Sequence, residues 1–525
     1  MNALLIRGGH VYTADKEART YPSGSVLVVA GRIVAVGESR TVDAVVAELD
    51  PQIRTGMRVM DAGAMMILPG FVNPHWHEVL GRGLAQLGPR RRLPDPWCDQ
   101  SDVPGPFAAG GDVRTLSAIF DAAYSFADAL EPEEAAAIAE YALLLQLKTG
   151  TTTFGDVGSM NKPQALIAAT VRLGLRGAVS VWASDGYCPA GESRFRRTRE
   201  SAEVLDSLES VRRAVQAEGN DRVRMMPSAI YTANLSDELG AGLAAFADRH
   251  GLPFATHVAA LPDETDVLRQ CFGTTPIRRL AELGLLNDRL IAVHCAWADE
   301  AEQAMLLRAH ARLNHSPAKY GTTGESPMSG TPTLLRLARA GLELSLSTDG
   351  EGLPIGGMAE AMRQAWLMHN ELRSDNTAVV PTTALAMATR LAAKALCWEE
   401  EIGSLETGKQ ADLVLVRIDD WRYLLRPRPL EGFLLMGGST DVDTVIVGGR
   451  VLVEAGQVIH VAESAVRERF ITAAAQIAAR LFDVDSQTLT SFTAKFVNPA
   501  RRQPRSGSAM NPAQRQAAVR HRGLS

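Results

Sequence analysis

The sequence predicts an α/β protein: a (β/α)8 TIM barrel carrying a small composite β-sandwich domain built from both ends of the chain. Three observations predict it. Apolar strands alternate with helical segments through the middle of the chain, which argues for a parallel sheet. Short strands broken by glycine precede that middle and return after it. Metal-ligand residue types stand where several of the apolar strands end, the side on which barrels carry their chemistry.

Length and composition permit this. The 525 residues are 46% hydrophobic and 22% charged, ordinary proportions for a globular chain that buries a large core. A net charge of −6 argues against a nucleic-acid or anionic-membrane surface. The five cysteines (Cys98, Cys188, Cys271, Cys295, Cys397) show no C-x-x-C spacing and read as reduced thiols of a cytoplasmic protein. The apolar run at the N-terminus is too short for a signal peptide, and no stretch approaches the roughly 18 apolar residues of a membrane span.

Residues 1–66 give short strands: Ala3–Arg7, Gly9–Tyr12, Ser25–Ala30, Arg32–Val36 and Arg58–Asp61. Gly31-Arg32 between two Val/Ile-rich runs reads as a hairpin turn. The same flavour returns over 403–460 in Ala411–Arg417, Val442–Val447 and Arg450–Val453, with a turn at Gly448-Gly449. A few short strands bury too little to stand alone, so the two sets are expected to form one domain.

Between them, residues 67–402 hold eight strand candidates: Ile67–Asn73, Thr151–Asp156, Leu175–Val181, Val223–Ile230, Pro253–His257, Leu290–His294, Ala311–Ser316 and Glu343–Asp349. Helices are expected between them. Glu131–Lys148 opens on Pro132 and early glutamates and stops at Lys148 and Gly150, as capping and the helix dipole require. Thr383–Cys397 reads as another Ala-rich helix. Eight strands over this length suggest a barrel with one enlarged loop; a doubly wound open sheet is the rival. Residues 461–498 form a C-terminal segment with an amphipathic helix at Ser464–Leu481, suited to pack on the barrel or on a partner subunit. Residues 499–525, with Arg501, Arg502, Arg505, Arg515, Arg520 and Arg522 and no acid, read as a disordered basic tail.

The strand ends carry the chemistry. The first strand runs into His75-Trp76-His77-Glu78, where residues two apart project to one face, a geometry for two imidazoles on one cation. Alone the pair is weak, since roughly one such chain in five shows H-x-H by chance. The fifth strand, however, ends in His257, the sixth in His294, and the eighth in Asp349 followed by Gly350. A single strand-end histidine reads best as a polar cap and Asp-Gly as a turn. Five such residues at the same end of one barrel read as a metal site.

On these motifs the chain resembles the amidohydrolase superfamily, in the branch of the triazine chlorohydrolases and the guanine, cytosine and S-adenosylhomocysteine deaminases. The motifs are Leu68-Pro69-Gly70-Phe71-Val72-Asn73-Pro74-His75-Trp76-His77, Gly150-Thr151-Thr152-Thr153, Thr256-His257-Val258-Ala259, Val293-His294-Cys295, Ser347-Thr348-Asp349-Gly350 and the run from Ile402 to Leu413. The similarity they mark spans residues 1 to about 460, nearly the whole chain. The resemblance implies one divalent metal ion, zinc or iron, held by His75, His77, His257 and Asp349. It makes Asp349 the acceptor of the water's proton and His294 a polarising group beside the attacking water. The implied reaction is hydrolysis of a carbon–nitrogen bond in a small cyclic amidine or N-heterocycle, with deamination first. Cyclic amide or lactam hydrolysis and chlorohydrolysis stand as alternatives, and a non-catalytic metal-barrel binding protein is the reading from another class. The expected partner is a small heterocyclic substrate, with neither nucleic acid nor membrane, and a homodimer is expected.

One departure matters. In the deaminases a glutamate stands three residues after the fifth-strand histidine and shuttles a proton; here Ala260 holds that position. Glu78 and Glu264 are the candidates for the missing acid, unless the leaving group needs none. Glu78 also reads as an ordinary solvated residue after a strand. Trp76 is expected to pack behind the barrel wall. Lys319 and Tyr320, in the segment Asn314–Gly321, suit contact with a carboxylate or aromatic ring as well as an ordinary loop. The stretch Leu87–Asp112 is long for a βα loop and sits on the catalytic side, where such insertions act as lids or substrate walls; Arg90-Arg91-Arg92 reads first as a surface charge run and second as contact with an anionic substrate.

Overall fold

The computed structural model describes residues 3–78, 112–158, 160–323, 332–350, 357–424 and 428–481, together with a few positions between 484 and 491. Most of the Leu87–Asp112 stretch and all of the 499–525 tail lie outside the described residues.

Strands from both ends of the chain pair into one nine-stranded sheet. Its N-terminal part contains Ala3–Tyr12, Thr20–Val29, Arg32–Glu38, Arg58–Asp61 and Met65–Pro69; its C-terminal part contains Leu413–Arg417, Val442–Val447, Arg450–Glu454 and Gln457–Val458. The two parts meet where Met65–Pro69 runs antiparallel to Leu413–Arg417. Ala30-Gly31 and Gly448-Gly449 both have positive φ at two successive residues, the turn geometry that matches the twist of hairpin strands. The first turn therefore lies one residue earlier than Gly31-Arg32. The N-terminal region also holds two helices absent from the sequence reading, Ser39–Glu48 and Pro51–Thr55. Val42 of the first is buried with Leu5 and Leu27 of the sheet.

Eight strand positions follow in parallel order: Phe71–Trp76; Thr151–Asp156; Arg176–Val179 continued by Trp182–Ala183; Val223–Met225 continued by Ser228–Tyr231; Phe254–Val258; Leu290–His294; Arg312–His315; and Leu344–Leu346. They pair as one four-stranded and one six-stranded sheet. The two sheets share the third and fourth positions, each split between them. Between the eighth strand and the first, the contact is a parallel bridge from Trp76 to Asp349, with Asp349 N–H donating to the His75 carbonyl at 3.1 Å.

Two sequence expectations change here. Ile67–Asn73 is not one strand: it breaks at Gly70, with Met65–Pro69 in the composite sheet and Phe71–Trp76 in the parallel one. A Cβ at Gly70 would lie 2.2 Å from Thr152 Oγ1, so only glycine lets the chain cross between the sheets there. Thr383–Cys397 is likewise two helices, Pro381–Met387 and Arg390–Ala395. The Ala388 carbonyl at the break accepts from Val72 N–H at 2.9 Å, a bond to the first parallel strand that a continuous helix would deny it.

The composite sheet is fixed to the parallel strands by a buried ion pair. Arg176 Nε donates to Asp412 Oδ2 at 2.8 Å, both residues under 5% exposed, and Asp412 Oδ1 also accepts from Gly448 N–H at 2.7 Å. The helix Glu463–Leu481 packs on Pro132–Lys148 of the same chain. Phe470 stacks on Tyr141 at 4.4 Å, Lys148 pairs with Glu463 at 2.7 Å, and Arg469 and Arg480 reach Glu140 and Glu134. Among the described residues no helix is long and apolar enough to cross a membrane.

Candidate metal centre

The strand ends bring four ligand atoms together, from His75, His77, His257 and Asp349, all within 4.8 Å of one another and all buried. His77 Nε2 is 3.1 Å from His75 Nε2, 3.2 Å from His257 Nε2 and 3.1 Å from Asp349 Oδ1. His75 Nε2 is 3.6 Å from the same oxygen. Atoms bound tetrahedrally at about 2.0–2.1 Å from one ion lie about 3.3–3.4 Å apart, so this spacing fits one divalent cation.

The hydrogen bonding points the same way. His257 Nδ1 lies 2.5 Å from the Ile230 carbonyl and must donate to it, which leaves the Nε2 lone pair facing the cluster. Burial holds the His77 ring down at about 4 and that of His257 well below the usual imidazole value. Both are therefore neutral, as metal ligands must be. Several lone pairs and a carboxylate turned on one point repel one another unless a cation lies between them.

The backbone supporting these residues is strained. His294, Cys295, Asp349 and Ala259 all adopt positive φ, between 47° and 76°, at the ends of the fifth, sixth and eighth strands. Non-glycine residues held there cost of order 1–3 kcal/mol each and concentrate at functional sites. Asn73 anchors the eighth-strand turn, accepting from Thr348 N–H at 3.1 Å and donating to its hydroxyl at 2.8 Å.

His294 lies outside the four-atom cluster but against it, with Nε2 3.4 Å from Asp349 Oδ2 and Nδ1 3.0 Å from the Tyr320 hydroxyl. Lys319 Nζ sits 3.1 Å from Asp349 Oδ2 and is 3% exposed. Burial opposes the charge on Asp349, but the Lys319 ammonium and the His75 and His77 rings outweigh it and hold the carboxyl well below the usual range. One short helix, Pro317–Thr323, thus sends neighbouring side chains to Asp349 and His294. Lys319 and Tyr320 are parts of the site rather than loop filler.

The two acids offered for the place vacated at Ala260 are both buried. Glu264 turns back so that Oε2 accepts from Ala260 N–H at 2.8 Å, and burial pushes its carboxyl up to about 8 against the Ala260 and Ala259 N–H groups. It reaches the Ala260 loop and not the ligand cluster. Glu78 is 2% exposed, not solvated, and faces Asp156 at the end of the second strand. Burial first, and the charge of Glu78 after it, raise the Asp156 carboxyl well above its ordinary value. Trp76 packs edge-on against Phe154 at 5.5 Å, behind the wall as its alternation in the strand requires.

Sequence reading left out Asn73, Asp156 and a buried imidazole pair, His315 and His369. His315 ends the seventh strand and carried the same positional signal as His257 and His294. His369 lies within a helix and carried none.

The model of the amidohydrolase family matches residues 66–452. The chain belongs to the amidohydrolase family. Among its relatives, a 5-methylthioadenosine/S-adenosylhomocysteine deaminase of Symbiobacterium thermophilum is 30% identical over 477 residues, covering 86% of this chain and 94% of the relative. A 5'-deoxyadenosine deaminase of Methanothermobacter thermautotrophicus is 28% identical over 485 residues, covering 90% and 99%. In three dimensions the chain is similar to an adenosine deaminase from Xanthomonas campestris with bound zinc, with a TM-score of 0.73 at 23% identity over 91% of this chain and 98% of that one. It is equally similar to a zinc complex of atrazine chlorohydrolase from Arthrobacter aurescens, with a TM-score of 0.73 at 22% identity over 90% and 100%. The fold is thus the TIM-barrel-like α/β fold of amidohydrolases, and the chain is a metal-dependent hydrolase whose donor set fits one divalent ion.

Proposed function

We propose that this amidohydrolase is an aminohydrolase that removes an exocyclic amino group from a small N-heterocycle, with purine nucleosides the first class to test. The observation that carries the reading is the pairing of His294 Nε2 with Asp349 Oδ2 at 3.4 Å, which sets His294 against the His75, His77, His257 and Asp349 cluster. A proton acceptor and a hydrogen-bonding group then flank one point beside the ion. The deaminases of adenosine derivatives among the relatives support the substrate class.

A zinc ion held by those four residues would supply the Lewis acidity that makes water a nucleophile near neutral pH. Asp349 takes the water's proton, its Oδ2 held in place by Lys319. His294, oriented through Nδ1 by Tyr320, hydrogen-bonds at the tetrahedral centre and steadies the charge that develops there. Departure of ammonia completes the hydrolysis. The leaving nitrogen must gain a proton, and Ala260 cannot provide it.

Ala260 also favours a second reading, a leaving group that needs no proton, as in chlorohydrolysis or ring-amide opening. A panel of aminated purines, pteridines, pyrimidines and triazines, together with chlorinated triazines and cyclic amides, separates the readings by product. Ammonia supports the first; chloride or simple ring opening without ammonia overturns it. pH–rate profiles of Glu78→Gln and Glu264→Gln against the parent decide whether either carboxyl supplies the proton.

A further inference from the structure

Behind His294 runs a line of buried polar groups of which the reaction above uses only His294 and the Tyr320 hydroxyl that orients it. His294 Nδ1 is 3.0 Å from the Tyr320 hydroxyl, and that hydroxyl is 3.4 Å from His315 Nδ1. His315 Nε2 is in turn 2.9 Å from His369 Nε2. Each of the four residues is no more than 6% exposed. The line starts beside Asp349 and ends at His369 Nδ1, a buried atom with no hydrogen-bond partner among the described residues. It ends in the C-terminal half of the helix Gly357–Arg373, where Leu367 and Leu372 are exposed.

Among these four residues the donors and acceptors fit together in two ways. Ser316 N–H donates to the Tyr320 oxygen at 3.2 Å, and within this line the hydroxyl proton goes either to His294 or to His315. If it goes to His294 Nδ1, then His294 carries its proton on Nε2, facing the reacting centre. His315 then donates from Nδ1 to Tyr320, and His369 donates from Nε2 to His315. If it goes to His315, every bond reverses: His294 Nε2 becomes a bare lone pair and His369 carries its proton on Nδ1. Burial, with the neighbouring His369 ring a lesser cause, holds His315 well below the usual imidazole value, and burial holds His369 at about 4. Both rings are neutral at pH 7, the state both arrangements need.

We propose that Tyr320, His315 and His369 form a proton path to His294 that delivers the proton for which the deaminases use the glutamate absent at Ala260. In the delivery step the His294 Nε2–H bond breaks and an N–H bond forms on the departing nitrogen. His294 Nδ1 takes the Tyr320 proton, Tyr320 takes that of His315 Nδ1, His315 Nε2 takes that of His369 Nε2, and His369 Nδ1, buried and otherwise without a partner among the described residues, takes one from a water molecule hydrogen-bonded to it. The reverse passage returns the proton that Asp349 received from water and restores the starting arrangement. No ring changes its net charge, so the path does not depend on any of them titrating. His294 is the catalytic residue in this scheme; Tyr320, His315 and His369 act through it and are positioning residues.

The inference rests on the aminohydrolase reading, and its test separates the two. In zinc-loaded protein labelled with 15N-histidine, ring spectra report which nitrogen of each histidine carries the proton. His369→Gln is expected to change the pattern of His315 and, across Tyr320, that of His294, with zinc content unchanged. Tyr320→Phe, which removes only the hydroxyl and guards against a His369 variant that fails to fold, should uncouple His294 from His315. With 5'-deoxyadenosine as the probe, both variants should lose about 10²-fold in kcat with little change in KM. The solvent isotope effect should fall from a multi-proton to a single-proton form. A His294 pattern unmoved in His369→Gln and Tyr320→Phe, or kcat and isotope effect at parental values in both, overturns the path. A parent that releases no ammonia from any aminated heterocycle overturns the functional reading instead, while the spectra still decide the path.

Discussion

The ammonium of Lys319 lies 3.1 Å from Asp349 Oδ2, with both side chains out of solvent. Asp349 therefore faces two cationic demands, one oxygen toward the ligand cluster and the other toward Lys319. Lys319 offsets part of the negative charge that Asp349 would set against a divalent ion held by the cluster.

Lys319→Met tests this. The Asp349 carboxyl is depressed in the folded protein, so the benefit of its charge is present above the unfolded value of about 3.9 and is lost as pH falls through the lower folded value. Removing Lys319 raises the folded value, and zinc should dissociate at higher pH than from the parent. Zinc content measured across an acid titration checks this; coincident curves would show that Lys319 does not govern the charge of Asp349.

Loss of a ligand should remove the metal and the activity together. His75→Ala is expected to retain little zinc by elemental analysis, and Asp349→Asn to lose turnover by orders of magnitude even if zinc remains. Dialysis of the parent against a chelator should abolish turnover, and added zinc should restore it. Near-normal turnover of a metal-free preparation would sink the mechanism.

Glu264 makes a prediction of opposite sign. Its carboxyl is raised to about 8 from an unfolded value of about 4.3. The folded protein therefore holds a proton that the unfolded chain releases, and stability falls as pH rises through that window, by at most about 1.4 kcal/mol per pH unit. Glu264→Gln should flatten this part of the stability curve. Thermal midpoints of parent and variant between pH 5 and 9 decide it, and parallel curves would refute the assignment.

The Arg176–Asp412 pair predicts what holds the composite sheet in place. Asp412→Ala leaves a buried guanidinium without its partner and is expected to cost about 3–5 kcal/mol. The double variant Arg176→Met/Asp412→Leu should recover much of that loss. Denaturant midpoints measure both, and a single variant as stable as the parent would show that the pair contributes little.

Much of the site was legible because its residues obey one positional rule. His75, His77, His257, His294 and Asp349 each follow an apolar run, and a strand end is visible in a sequence. Lys319 and Tyr320 were legible only as residues near the site, since a helix of seven residues carries too few positions to reveal its orientation. His369 was not legible at all: one histidine on a helix has no pattern, and only packing sets it 2.9 Å from His315. The joins were hidden for a similar reason. Gly70 divides one apolar run between two sheets because of Thr152, a residue more than eighty positions away, and Ala388 ends a helix because Val72 needs its carbonyl.

By itself the sequence determined the alternation of strands and helices, the return to a β-rich segment after residue 403, and the residue types at the strand ends. Local periodicity and turn chemistry suffice for those. Tertiary structure alone decided that four of these residues place ligand atoms within 4.8 Å, that Lys319 neutralises Asp349, and that Glu264 turns to Ala260 while Tyr320, His315 and His369 line up behind His294. Those are distances between positions far apart in the chain, set by how the strands pair and twist, and no local pattern encodes them.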